Sequence, residues 1–266
     1  MPAAQDGPGF LLESIGAVPV FKINRPHRLN ALTRGVLYGL SDFLDRAEEA
    51  GKSVVVITAG GGRAFCAGTD LDELMSLSDE EALAKADFAR NLMGRLNRSS
   101  VFSIAAINGL AFGGGLELAM GCAMRIAVDS ATFSLPEIKL GVLPSYGGTQ
   151  LLPALVGRSR ARELMVTGRT LSAHDALLMG LIDEVVSAEA ALVAHIETLG
   201  TNVESYSRDA LASLKTCIDA SGEDLRHGFA VEREEVGRIS VGADAKEGVR
   251  AFLEKRQPCF NKGHAE

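Results

Sequence analysis

The sequence has few aromatic residues and no tryptophan. Aromatic residues make up 5% of its 266 residues, and only three of them are tyrosines. Single-stranded nucleic acid is usually bound on aromatic stacking platforms, so this shortage argues against such a ligand. The 27 Lys and Arg residues form no dense basic stripe, and the net charge is −7. We therefore predict that the protein has no nucleic-acid partner.

Long apolar runs are also missing. No stretch approaches the roughly 18 consecutive apolar residues that a membrane-spanning helix needs. The opening residues, MPAAQDGPGF, have neither the basic nor the apolar region of a signal peptide. We expect a cytoplasmic protein with no membrane contact.

The four cysteines give no sign of a metal site or of a disulfide framework. Cys66, Cys122, Cys217 and Cys259 are scattered along the chain, with no CxxC pair and no histidine at metal-ligand spacing. Reduced thiols in a reducing compartment are the simplest interpretation. We predict no bound metal.

Strand and helix patterns alternate through the first 150 residues, which predicts an α/β fold. Helix is predicted over 32–51 and for two segments within 70–98, and downstream of residue 150 the pattern is mainly helical. Strands are predicted at the following places: two within 11–24, one at 53–58, one at 101–109 and a pair around 125–135.

Two glycine-bearing loops each follow a predicted buried strand and precede a predicted helix. They are FCAGTD at 65–70 and FGGGLE at 112–117. Amides at a helix start have no intrahelical partner, and glycine lets a carbonyl approach them closely. Two such loops side by side would form an oxyanion hole. Close packing of helix against strand would also favour glycine, so each loop alone is ambiguous.

Two carboxylates lie in mainly apolar surroundings close to these glycines. Glu117 follows the third glycine by two residues, and Glu137 comes 20 residues later in FSLPEIKLG. Partial burial raises a carboxyl pKa toward the range useful for acid–base catalysis. The competing interpretations are a helix-start carboxylate for Glu117 and a loop salt bridge for Glu137.

Two other motifs carry less weight. AGKS at 50–53 lacks the earlier glycine of a phosphate-binding loop, so it is better explained as the end of a helix. LPSYG at 143–147 has leucine where a nucleophile elbow needs glycine, which makes Ser145 a poor nucleophile candidate.

Taken together, these segments resemble the crotonase (enoyl-CoA hydratase/isomerase) superfamily. The resemblance runs from FKINRPHRLNAL at 21–32 to EGVRAFLEKRQPCF at 247–260, and its central block is SIAAINGLAFGGGLELAMGCAMRIAVDSATFSLPEIKLGVLPSYGGTQ. It implies a spiral of strand-strand-helix repeats over residues 1–200 and a helical C-terminal region over 201–266. It further implies a homotrimer or a dimer of trimers.

The resemblance also implies a substrate and a set of catalytic groups. The substrate would be an acyl-CoA thioester, and no separate cofactor would be needed. The amides of Thr69 and Gly114 would hold the thioester oxygen. Glu117 would deprotonate the attacking water and Glu137 would protonate C2, although the reverse assignment stays open because adjacent carboxylates titrate together.

Other residues match positions that contact CoA or the acyl group. Phe252 and Lys255 would reach the nucleotide from a neighbouring subunit. The remaining positions within the same chain are Arg25, His27, Leu29, Ala64, Phe65, Ala67, Asp70, Leu71, Gly113 and Ser145.

The sequence departs from the usual family pattern at several positions. His27 stands where lysine is common, and Thr69 stands where alanine is common. Ser145 stands where glycine is frequent, at a position whose backbone amide can help hold the catalytic water. SLPE at 134–137 also replaces the frequent GQPE. The leading hypothesis is hydration of a 2-enoyl-CoA. The alternatives are Δ3,Δ2-enoyl-CoA isomerisation or a related lyase reaction, and a non-catalytic acyl-CoA-binding scaffold.

Overall fold

The computed structural model describes residues 7–222 and 225–261, and its core is built on two β-sheets. The larger sheet has six strands in the order β1-β2-β3-β5-β7-β10; only β1 and β2 pair antiparallel. The smaller sheet has four strands in the order β4-β6-β8-β9. The strands are β1 (Phe10–Ile15), β2 (Val18–Ile23), β3 (Val54–Ala59), β4 (Ala64–Cys66), β5 (Phe102–Ile107), β6 (Leu110–Phe112), β7 (Met124–Val128), β8 (Thr132–Ser134), β9 (Leu171–Ser172) and β10 (Glu184–Val186).

In each successive pair of strands from β3 to β8, the first strand joins the larger sheet and the second joins the smaller sheet, which produces the predicted spiral. β3, β5 and β7 add in parallel to the larger sheet, while β4, β6 and β8 add in parallel to the smaller one. A helical segment follows each pair. The α/β fold class and the spiral arrangement are therefore confirmed.

Eleven α-helices lie within the described residues. α1 begins where the Thr33 hydroxyl accepts a hydrogen bond from the Val36 amide, and it buries an apolar face against the core. The helices are α1 (Arg34–Glu49), α2 (Leu71–Ser76), α3 (Asp79–Arg98), α4 (Gly114–Gly121), α5 (Gly148–Val156), α6 (Arg158–Thr167), α7 (Ala173–Met179), α8 (Glu189–Glu204), α9 (Arg208–Asp219), α10 (Leu225–Ile239) and α11 (Ala243–Leu253).

Helix α4 lies at the centre of the molecule. All eight of its residues are buried, including Glu117. It contacts the helices α3 and α5 and the strands β4 and β6. The short, glycine-rich helix is therefore packed against four elements, which restricts the direction of the one carboxylate it carries.

The short strands were the hardest elements to predict. β4 and β6 have three residues each, and β9 and β10 interrupt a region expected to be helical. Strands this short pair only because neighbouring segments bring them together. The expected division after residue 200 falls inside α8, which packs on strands of the larger sheet. The division into two units stays a prediction.

Among residues 7–222 and 225–261, no helix combines the length and the apolar character needed to cross a bilayer.

Candidate active site

The first glycine loop leaves the amide of Thr69 without a hydrogen-bond partner among the described residues. The Leu32 amide donates to the Gly68 carbonyl at 2.7 Å, and the Asp70 amide donates to the Leu32 carbonyl at 3.0 Å. These bonds hold the loop from one side. Gly68 has a φ of +107°, which residues with a side chain rarely adopt. The peptide of Thr69 can therefore face away from Leu32.

The second glycine loop approaches the first within van der Waals distance. Gly113 has a φ of +51° and begins α4, and the Gly114 amide has no partner among the described residues. A Cβ placed on Gly114 would lie 3.5 Å from the Thr69 nitrogen, and one placed on Gly68 would lie 3.3 Å from the Gly114 nitrogen. The two unbonded amides are thus neighbours, which is the arrangement an oxyanion hole needs.

Glu117 is fixed by two backbone amides from the segment that follows. Its Oε1 accepts hydrogen bonds from the amides of Tyr146 at 2.8 Å and Gly148 at 2.7 Å. Burial raises the pKa of Glu117 to about 7, the charge of Glu137 adds to that rise, and the two amides oppose it. A carboxyl that titrates near neutral pH is suited to proton transfer.

Glu137 lies at the start of a 3-10 helix, Glu137–Leu140, three residues after the end of β8 at Ser134. Its Oε2 is buried and has no hydrogen-bond partner in the described part of the chain. Burial raises the pKa of this carboxyl above its ordinary value. Its Oε1 lies 3.0 Å from the position that a Cβ would take on Gly113. Glu137 therefore lies against the glycine loop and forms no salt bridge with any described residue.

These groups line a single cavity of 460 Å³. Its walls are mostly apolar, and among the described residues no cluster of histidine, cysteine, aspartate and glutamate could hold a metal. Eight predicted site residues line it: Ala67, Thr69, Leu71, Gly113, Gly114, Glu117, Glu137 and Ser145. The cavity can bring a carbonyl oxygen to the two amides while its neighbouring carbons face both carboxylates.

Two of the predicted CoA residues, Arg25 and Asp70, bind each other. The Arg25 guanidinium donates to Asp70 Oδ2 at 2.7 Å and to the Ala31 carbonyl at 2.8 Å. Although burial alone would raise the pKa of Asp70, the Glu73 amide and Arg25 hold it below its usual value. This pair stiffens the start of α2 beside the cavity; its contact with CoA stays a prediction.

The other predicted CoA residues lie outside the cavity. Ala64 and Phe65 are buried in β4, whereas His27 is exposed and Leu29 is half-buried. Phe252 is 82% exposed at the end of α11, and Lys255 follows that helix. Their proposed roles in binding CoA stay predictions.

Tyr146 is a site residue that the sequence interpretation missed. Its amide binds Glu117, its ring lies over Gly114, and its hydroxyl is 2.8 Å from Thr69 Oγ1. In LPSYGG, the nucleophile-elbow pattern draws attention only to the serine. The large side chain next to a pair of glycines was the available signal.

Ser145 occupies an ordinary backbone conformation. It is not among the non-glycine residues with positive φ, and its side chain is exposed at the cavity rim. The serine therefore replaces glycine here without backbone strain.

The two-sheet spiral and its cavity define an α/β protein with a carboxylate pair beside two unbonded amides. The family model described as enoyl-CoA hydratase/isomerase matches residues 13–263. The chain belongs to this family, which confirms the resemblance to the crotonase superfamily.

Several named relatives are similar in sequence to this protein along nearly the whole chain. The crotonyl-CoA hydratase of Syntrophomonas wolfei is 33% identical over 252 residues, which is 94% of this chain and 96% of the relative. The short-chain-enoyl-CoA hydratase of Clostridium acetobutylicum is 34% identical, and the match covers 93% of this chain and 95% of the relative. The crystal structure of an enoyl-CoA hydratase from Bacillus anthracis superposes on this protein with a TM-score of 0.90 and is 35% identical in sequence. The match covers 95% of this chain and 98% of that structure's chain.

Proposed function

We propose that this protein hydrates a 2-trans-enoyl-CoA to the 3-hydroxyacyl-CoA. The observation that carries the proposal is that two raised-pKa carboxyls and two unbonded amides line the same cavity. Relatives named as hydratases support the same reaction. Isomerisation requires only one carboxylate to move a proton between carbons, so the presence of two favours hydration.

The thioester oxygen would accept hydrogen bonds from the amides of Thr69 and Gly114. These bonds stabilise the enolate that develops as water attacks C3, and loss of one such donor typically costs about 3 kcal/mol of transition-state stabilisation. Glu117 takes a proton from the water as the C3–O bond forms. Glu137 gives its proton to C2, and a proton passing between the carboxyls restores the starting state. The overall reaction consumes one water and needs no oxidant or reductant.

The proposal for substrate binding rests on the residues that match CoA- and acyl-contacting positions of the family. We propose that CoA extends from the cavity along Ala64, Phe65 and Ala67 toward Arg25 and His27. The acyl group would lie against Leu71 and the apolar cavity wall, and Gly113 would allow its approach to Glu137. The Ser145 amide would help hold the water.

The assembly proposal rests on the C-terminal helices. Phe229, Val236, Phe252 and Leu253 expose more than half of their surface in the single chain. We propose that copies of the chain cover these residues in a trimer or a dimer of trimers, so that Phe252 and Lys255 reach a neighbour's nucleotide. The enzyme would work in the cytoplasm, with CoA entering only as part of the substrate.

The test follows the loss of enone absorbance for 2-enoyl-CoAs of increasing chain length. Wild type is compared with Glu117→Gln and Glu137→Gln, which keep side-chain size but remove proton transfer. We expect kcat to fall by about 10²–10⁴ in each variant. Glu13→Gln, at an exposed position in β1, is the matched control and should retain wild-type activity.

Three results would contradict the proposal in different ways. Undiminished hydration in either site variant would remove the two-acid mechanism. Conversion of 3-enoyl-CoAs without hydration of 2-enoyl-CoAs would indicate an isomerase. Tight binding of acyl-CoA without turnover of any substrate would indicate a scaffold.

A further inference from the structure

Tyr146 contacts three of the four residues to which the proposed function gives a catalytic role. Its amide donates to Glu117 Oε1 at 2.8 Å. Its ring carbons Cδ2 and Cε2 lie 2.9 and 3.0 Å from the position a Cβ would take on Gly114. Its hydroxyl is 2.8 Å from Thr69 Oγ1. Tyr146 therefore contacts Glu117 and both of the residues that carry the unbonded amides.

The hydrogen bond between the hydroxyls of Tyr146 and Thr69, here called the hydroxyl pair, holds the side chain of Thr69, which the backbone bonds to Leu32 do not reach. Leu32 binds the carbonyl of Gly68 and the amide of Asp70, so it fixes the peptides on either side of Thr69 from behind. The Thr69 side chain is held only by Tyr146 among the described residues. The peptide that carries the Thr69 amide is already held at its carbonyl by Leu32, so the bond between the two hydroxyls adds a second restraint, at the Thr69 side chain, on the distance from this amide to Gly114.

Tyr146 is well suited to this role because its hydroxyl stays protonated and enclosed. The side chain is 4% exposed, and burial raises the pKa of its phenol to about 12, despite the hydrogen bond with Thr69. A neutral phenol is a good donor, and the threonine oxygen is a good acceptor. Their bond lies in the apolar cavity, where water competes little for it.

We infer that Tyr146 is a positioning residue whose hydroxyl, through Thr69, sets the spacing of the two amides that bind the thioester oxygen. The inference rests on the proposed function. It predicts that the hydroxyl pair affects the stability of the enolate more than the binding of the ground-state substrate.

The decisive variants remove one hydroxyl and leave the backbone amides in place. Tyr146→Phe and Thr69→Val should each lower kcat for crotonyl-CoA about tenfold, with KM within about twofold of wild type. The double variant should be no worse than either single one, because both remove the same bond. Thr69→Ser keeps the hydroxyl and should restore most of the activity.

A spectroscopic measurement separates positioning from a general packing role. Acetoacetyl-CoA can bind as its enolate, which carries negative charge on the same thioester oxygen, so its enolate absorbance reports on the two amides. We expect the apparent pKa for enolisation of the bound probe to rise by about one unit in Tyr146→Phe. Tyr38→Phe, at a 49% exposed tyrosine in α1, is the matched control and should leave this pKa unchanged.

The outcomes distinguish this inference from the proposed function. If wild type hydrates crotonyl-CoA while Tyr146→Phe retains wild-type kcat and probe pKa, the positioning role is wrong. Additive losses in the double variant would also overturn it. If wild type hydrates no enoyl-CoA, the proposed function fails, and the probe pKa still tests the positioning role. Should Tyr146→Phe fold poorly, Thr69→Val tests the same hydrogen bond from its other end.

Discussion

At the scale of single residues, the three consecutive glycines serve three different purposes. Gly113 provides the positive φ that begins α4, Gly114 leaves room for the Tyr146 ring, and Gly115 lies against Cys66 in β4. Glu117 follows them and is buried with two amide donors on one oxygen only. The site thus keeps a carboxyl in an environment that disfavours its charge.

This arrangement predicts a conflict between stability and function at Glu117. Its pKa is raised from about 4.5 in the unfolded chain to about 7 in the fold. The folded state therefore holds an extra proton between these values, and stability falls as pH rises through that window. Glu117→Gln removes the buried charge, and it should raise the free energy of unfolding by about 1–3 kcal/mol at pH 8 relative to wild type.

Chemical denaturation at pH 5 and pH 8 measures this effect. The gain of the variant should be small at pH 5, where the folded wild-type carboxyl is mostly protonated, and large at pH 8. Glu13→Gln is again the control. An equal gain at both pH values would show that the effect comes from packing rather than from the charge.

At the scale of the element, α4 depends on close contact with the strands beneath it. A Cβ on Gly115 would lie 2.2 Å from the Cys66 carbonyl oxygen, so either the helix or β4 would have to move. Because the same helix carries the Gly114 amide and Glu117, its displacement should affect stability and catalysis together.

Gly115→Ala should therefore destabilise the protein by about 1–3 kcal/mol, as overpacked cores do, and lower kcat. The matched control is Gly237→Ala in α10, where a Cβ would meet nothing within 4 Å. That exposed helical position should become more stable by up to about 1 kcal/mol. Urea denaturation measures the stability of each variant, and the enone assay measures its kcat. Unchanged stability in Gly115→Ala would show that α4 can shift freely.

At the scale of the whole molecule, the cavity lies in the sheet-and-helix core, while Phe252 and Lys255 lie at the far end of the chain and do not line it. Their proposed role needs a second copy that brings them to the nucleotide. The exposed apolar residues of the C-terminal helices are consistent with such an association.

Lys255→Ala should accordingly raise KM for crotonyl-CoA about fivefold and leave kcat unchanged, since one surface charge contact contributes up to about 1 kcal/mol. The crotonyl thioester of pantetheine lacks the nucleotide, so its KM should not respond. Lys246→Ala, an exposed lysine in α11, is the control. Equal effects on both substrates would contradict a nucleotide contact, and sedimentation would show whether the variant still assembles.

The amino-acid sequence by itself determined the family, the α/β alternation and the carboxylates and glycine loops that could take part in catalysis. Buried strands, glycine-bearing loops and helix starts are local patterns that the sequence alone indicates. The spacing of Glu117 and Glu137 is also known from the sequence without a structure. The sequence also predicted Thr69 and Gly114 as the amides of interest.

Only the tertiary structure decided which of these groups meet and what surrounds them. The Tyr146–Thr69 bond joins residues 77 positions apart, and the Arg25–Asp70 bond joins residues 45 apart, so no local pattern encodes either contact. The raised pKa of Glu117 likewise depends on burial by several elements and on the nearby charge of Glu137. A local sequence pattern can name the carboxylates and the glycines, but long-range packing sets their distances and their solvation, and these physical quantities govern acid–base chemistry.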